Sequence, residues 1–501
     1  MKIEKFEDID SWKKARALVK EIYSHLSSVK DYGFRDQIQR AALSILLIMA
    51  FIILISLLIT SDLLAKEIPK GYLIIQCVET YNISKYGAIS TPEEADKIFS
   101  NIKEGNVGIE FYPIFYSKTD IDKHYQIAKV SKKYKIDLWA SSFKLIERIR
   151  AFGEIKPEHQ AYVMNEDGEI IPAIVEGKPL FDVLNEGAVT WFLKEYREKY
   201  LEKMKGLING YFFNEDILKH IVKISNDRRP DYWNNPTYSM FVLKKWQEYC
   251  REHNVVFEGE VVSKFPVHDH QMVAKGNGLT KYYPGYQVPE KVIPGQKFTE
   301  MPKSKGIWKH WFDFVCELFI NNWIGRIAKE VSDINKNNPN WYGIVYFGLH
   351  TWSLPYEEIE ADDFIVPAKH RWGAWGRQLG LDLEMLSRQP NIDVIVCETY
   401  PPISANLEYF IREYKRIVEA NGKMFGLMLH RDDKWKIDLA EEEKRWDLIN
   451  KYKPIILVRY PLEHTFNWND NYFEEGENYF YEKLDEYRKD MHIGNNYGYK
   501  N

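Results

Sequence analysis

Cysteine is scarce in this chain, with four in 501 residues. Cys77, Cys250, Cys316 and Cys397 match neither a zinc spacing nor a C-x-x-C pair. That excludes a thiol–metal centre and a disulfide framework, leaving room for a single bridge at most. Positive charge is not in excess either. Lys and Arg number 68 against 73 Asp and Glu, a net charge of −5. A basic face is therefore not expected, nor a nucleic-acid partner. No glycine-rich phosphate loop follows any apolar run, which argues against a doubly wound nucleotide-binding sheet. His268 and His270 lack a third ligand at evident spacing and read as a solvated loop, so the sequence implies no metal and no cofactor.

What the chain does have is aromatic surface and one long apolar run. Aromatic residues make up 15% of it, including 15 Trp and 33 Tyr. Flat side chains suit sugar rings, and they also fill large barrels; both uses stay open here. Residues 41–60, AALSILLIMAFIILISLLIT, carry no charge and have the length of a bilayer-spanning helix. Lys20, Lys30, Arg35 and Arg40 precede this run, which favours a cytoplasmic N-terminus. The prediction is an uncleaved signal-anchor with the rest of the chain extracytoplasmic, or a secreted chain if the apolar segment is cleaved near Leu63-Leu64-Ala65. The expected organisation is a cytoplasmic helical segment over 1–40, a transmembrane helix over 41–60, a linker over 61–70 and one domain over 71–501.

From Gly71 onward, short apolar runs alternate with charged stretches of helical period. The runs are 72–79, 107–115, 136–141, 208–214, 255–260, 342–349, 393–398, 423–430 and 454–460. This alternation predicts an α/β fold with a parallel sheet, and about eight units fit a (β/α)8 TIM barrel. Nine runs are one too many. The simplest assignment takes the first eight as the barrel and treats 454–460 as an extra strand within a C-terminal extension from about 440. The long connection 261–306, rich in Gly, Pro, His and Tyr, is expected to shape a site or a lid. The helix that follows, 308–323, is expected to bury its aromatic stripe.

Barrel active sites lie at the C-terminal ends of the strands. Glu79, Glu110, Trp139, Asn214, Glu215, Asp216, Glu258, Glu260, His350, Glu398, Tyr400, His430 and Arg431 are the polar or aromatic residues at the tips of these runs. Glu215, next to Phe212 and Phe213, and Glu398, at the end of the seventh run, stand out as two carboxylates on apolar strands. Such a pair suits glycoside hydrolysis, in which one carboxyl group donates a proton and the other attacks or activates water.

Asn214-Glu215 after the fourth run, with Glu398 after the seventh, resembles clan A of the retaining glycoside hydrolases over about 71–431. The beta-galactosidase and cellulase-like families share this plan. The resemblance implies Glu215 as general acid/base, Glu398 as nucleophile and Asn214 as a contact for the sugar 2-hydroxyl. Glu79, Trp139, His350, Trp352, Tyr400, His430 and Arg431 are the remaining candidate substrate contacts. The segment Tyr211–Asp216 also resembles the strand of other barrel hydrolases in which an Asp is the nucleophile, a role that would fall to Asp216. A catalytically inactive, carbohydrate-binding barrel is the alternative from another class. Residues 1–45, through Phe6–Tyr23 and Tyr32–Ile45, resemble the opening of the four-helix-bundle family found in ribosomal-RNA intervening sequences. The apolar run from Leu46 departs from that family's pattern.

Overall fold

Eight of the apolar runs form strands because Val, Ile, Tyr and Phe dominate them and both of their faces are buried, the composition of a parallel sheet covered by helices. In the computed structural model the described residues are 20, 21, 24, 68–77, 91–100, 107–111, 118–142, 145–164, 170–175, 177–214, 218, 238–257, 259–265, 307–349, 380–399, 405–430, 439–460 and 474–493. The barrel strands are β1 (Tyr72–Cys77), β2 (Val107–Phe111), β3 (Asp137–Ser141), β4 (Gly210–Asn214), β5 (Gly343–Leu349), β6 (Val394–Thr399), β7 (Met424–His430) and β8 (Ile456–Tyr460). All pair in parallel with their sequence neighbours, and β8 closes the barrel on β1 through Tyr72↔Ile456.

Two corrections to the sequence reading follow. The surplus run is 255–260, not 454–460. Val256–Phe257 pairs antiparallel with Glu260–Val261 as a small hairpin outside the barrel. The last run is β8, so the region from about 440 completes the barrel with helix Leu439–Tyr452, β8 and helix Glu474–Ile493. In that final helix, Arg488 Nε donates to the Gly71 carbonyl at 3.0 Å and the Tyr487 hydroxyl donates to the Pro454 carbonyl at 2.7 Å.

Successive side chains on a strand alternate between its two faces, and the buried clusters split the same way. Leu73, Ile109, Leu138, Tyr211, Ile344, Ile395, Leu427 and Leu457 join the core beneath the helices. Tyr72, Ile74, Trp139, Phe212, Val345, Phe347, Val394, Val396, Met428, Ile456 and Val458 fill the barrel interior. Following the register pairs once around the barrel returns to β1 eight residues from the start, the shear of a (β/α)8 barrel. Residues at equal height are therefore displaced by one position per strand, and each interior layer comes from alternate strands.

The connection between β3 and β4 carries helix Glu186–Tyr196, capped by Asn185, whose side chain accepts from the Gly187 and Ala188 amides. The helix expected at 308–323 runs Ile307–Phe319 and continues as a π-turn over Ile320–Gly325. Its Trp311, Phe314, Phe319 and Trp323 are buried, as the pattern predicts.

The chain divides into two compact units, Met1–Glu67 and Ile68–Asn501. In the first, Lys20, Glu21 and Ser24 are helical. The apolar run 41–60 lies outside the described residues. Among the described residues no helix is long and apolar enough to cross a membrane.

Candidate active site

Near the mouth of the barrel interior, Asn214 of β4 and Glu398 of β6 share one layer. Two layers below, beneath an odd-strand layer that includes Ser141, Phe347 and Met428, the even strands contribute Glu110, Phe212, Val396 and Val458. Glu110 is fully buried, and Glu398 and Asn214 are 2% and 3% exposed. Two carboxylates and an amide thus line the upper part of an inner face filled mainly by aliphatic and aromatic side chains. Burying such groups costs several kcal/mol unless the surroundings compensate, so their place at the strand tips calls for a function.

Asn214 is held from two sides. Its Nδ2 donates to Glu110 Oε1 at 2.9 Å. Its backbone N–H donates to Ser142 Oγ at 3.3 Å, and the Ser142 N–H donates in turn to the Phe212 carbonyl at 3.0 Å. Ser142 follows the last residue of β3, so these bonds lock the tips of β3 and β4 together. Glu398 stands in register between Leu349 of β5 and Met428 of β7. Its neighbour Cys397 faces the helices. Burial, followed by the charge of Glu398, pushes that thiol well above its ordinary pKa, so it stays protonated and packs as a small hydrophobe.

The strand count changes the reading of Glu398. With 255–260 outside the barrel, Glu398 belongs to the sixth strand, not the seventh. The seventh ends Met428-Leu429-His430. The clan A plan of a nucleophile after strand seven is therefore not met by Glu398.

Trp139 is also placed differently from its expected role as a substrate contact. Its ring turns down to the level of Gly108 and Gly210, where the missing side chains leave room for it. There it stacks on Tyr342 at a centroid distance of 6.1 Å and an interplanar angle of 6°, and Nε1 donates to the Tyr72 hydroxyl at 3.3 Å. It is fully buried barrel filler, three layers below Asn214. Of the other candidates, His430 closes β7 in register with Tyr460. Glu79, Glu215, Asp216, His350, Trp352, Tyr400 and Arg431 lie outside the described residues.

The sequence reading assigned no role to Glu110 or Ser142. A signal for Glu110 existed. In Val107-Gly-Ile-Glu-Phe111 a carboxylate alternates with apolar residues on a strand buried on both faces, and such a strand tolerates it only near an end. Ser142 carried no comparable signal.

No protein-family profile matches this chain, and no curated protein matches it significantly. Solved structures match only distantly. An endo-beta-1,4-mannanase from Thermotoga petrophila is 10% identical, with 87% of this chain and 80% of that chain covered and a TM-score of 0.42. A GH5-4 broad-specificity endoglucanase from an uncultured bacterium is 8% identical, with 86% and 96% covered and a TM-score of 0.34. An HpcH/HpaI aldolase from Desulfitobacterium hafniense is 9% identical, with 82% and 93% covered and a TM-score of 0.27. Barrels of this kind host many reactions, so the chemistry has to be argued from the site.

Proposed function

We propose that this chain is a glycoside hydrolase acting on an oligo- or polysaccharide at the mouth of its barrel. One observation carries the reading: buried carboxylates and an amide, Glu110, Asn214 and Glu398, face inward in the upper part of a barrel interior filled mainly by aliphatic and aromatic side chains. Glycosidic cleavage needs two carboxyl groups, one kept protonated to release the leaving oxygen and one ionised to stabilise or attack the anomeric carbon. In this reading Glu215, peptide-bonded to the anchored Asn214, is the acid/base. Glu398 is the ionised partner, and reaction proceeds by retaining double displacement without a cofactor. The run 41–60 anchors the chain, and the barrel works outside the cytoplasm.

The test is a screen of the purified full-length protein against aryl glycosides and polysaccharides. Hydrolysis is expected, with kcat lowered at least about 100-fold by Glu398→Gln and by Glu215→Gln, the scale of lost acid–base or nucleophilic assistance. The anomer first formed, followed by NMR, reports retention. No turnover on any substrate would remove the enzyme reading.

The position of Glu398 on β6, with β7 ending in Leu429-His430, favours one second reading. The barrel would bind saccharide without cleaving it, and the same screen would then yield binding isotherms and no product.

A further inference from the structure

Asn214 and Glu110 differ in height. Asn214 lies level with Glu398, and Glu110 lies two layers down among Phe212, Val396 and Val458. Glu110 is fully buried. It nevertheless reaches from β2 past β3 to Asn214 on β4 and accepts its amide at 2.9 Å. Among the described residues, the only interior side chain that β3 contributes near this level is the small Ser141, because the ring of Trp139 points to the floor. Ser142 fixes the backbone of Asn214 at the same time. The residue joined to Asn214 by the next peptide bond is Glu215.

We infer that Glu110 is a positioning residue: its carboxylate supports Asn214 from beneath and so sets the direction in which the chain leaves β4 toward Glu215. The inference rests on the glycosidase reading above. Glu110 itself stays under the substrate layer and touches neither sugar nor reacting atoms. Its work is geometric, to keep the acid/base carboxyl in line with the glycosidic oxygen. Small misplacements of a catalytic group, on the order of 1 Å, are enough to cost about 100-fold in rate. The support needs an acceptor at 110 and a donor at 214, so it can be moved without being lost.

The experiment uses the full-length protein and a substrate that the wild type turns over. Glu110→Ala is expected to lower kcat by about 10- to 100-fold with KM changed by less than about 3-fold, because the acid/base moves while sugar contacts remain. Glu110→Gln keeps an oxygen acceptor for Asn214 Nδ2 and is expected to stay within about 5-fold of wild-type kcat. If Glu110→Ala does not fold, the reciprocal exchange decides. Asn214→Asp sets two carboxylates at bonding distance and lowers kcat. Adding Glu110→Gln restores a donor–acceptor pair in the opposite sense and is expected to recover at least about 10-fold. Wild-type kcat in Glu110→Ala, loss in Glu110→Gln as deep as in Glu110→Ala, or no recovery in the exchange would each overturn the inference while the wild type still hydrolyses its substrate. A wild type without turnover on any substrate overturns both the glycosidase reading and this inference.

Discussion

The floor of the barrel offers a quantitative test. A methyl group added at Gly210 would stand 2.3 Å from Cε3 and Cζ3 of Trp139. The ring cannot retreat freely, because Nε1 is bonded to the Tyr72 hydroxyl at 3.3 Å and the ring is stacked on Tyr342 at 6.1 Å. Overpacking a core costs about 1–3 kcal/mol, and a ring held in this way belongs at the upper end, about 3 kcal/mol, for Gly210→Ala. Trp139→Ala, which empties the floor, should cost about 3–5 kcal/mol. Combined, the two should cost no more than Trp139→Ala alone, since the new methyl enters vacated space. That is a coupling of about 3 kcal/mol. Urea unfolding followed by circular dichroism measures all three variants. A cost below about 1 kcal/mol for Gly210→Ala, or additivity in the double variant, would refute this account of the floor. A stable Trp139→Ala with altered KM would return Trp139 to the substrate.

Asp182 is fully buried, and burial raises its carboxyl to about 7, against the opposing pull of the Ser239 hydroxyl and the Leu184 and Asn185 amides. Its folded value lies above the unfolded one, so the folded chain holds the extra proton in the window between them. Stability from this group is full below about pH 4 and is lost by about pH 7, on the order of a few kcal/mol. Urea midpoints at pH 5 and pH 8 should differ more in the wild type than in Asp182→Asn; equal differences would reject the assignment. At the strand bases, Gly343 has φ +122° and its Cβ position lies 2.4 Å from Asp393 Oδ2, which accepts from the Ile344 amide at 2.8 Å. Gly343→Ala should therefore cost about 1–3 kcal/mol from backbone strain alone, and a neutral urea midpoint would contradict it.

The barrel was legible because each of its strands is a compact apolar run between amphipathic helices. The count was less so. The run 255–260 has the composition of a barrel strand, but a hairpin also buries a short apolar stretch, and composition alone does not separate the two. That single run moved Glu398 from the sixth strand to the seventh and made the clan A spacing look met. Height along a strand was the other blind spot. Strands buried on both faces show no two-residue alternation of polarity, so nothing in Asp137–Ser141 tells a ring at the floor from a ring at the mouth. The glycines at 108 and 210, far apart in sequence, are what make the floor position possible. Asn214 stood out at once because an amide ends the apolar run Tyr211-Phe212-Phe213. Its dependence on Glu110, 104 residues earlier, exists only in the closed barrel.

The bonds from the last helix to Gly71 and Pro454 have a consequence for the time at which this protein becomes a barrel. β1 must wait for β8, some 380 residues later, before its second edge is paired. At ribosomal rates of about 5–20 residues per second, that wait lasts roughly 20–80 s. Throughout it the Tyr72–Cys77 strand presents an open, apolar edge, the kind that recruits other chains. Newly made copies should therefore depend on chaperone cover until residue 488 has emerged, and nascent chains stalled before that point should aggregate more readily than the finished protein.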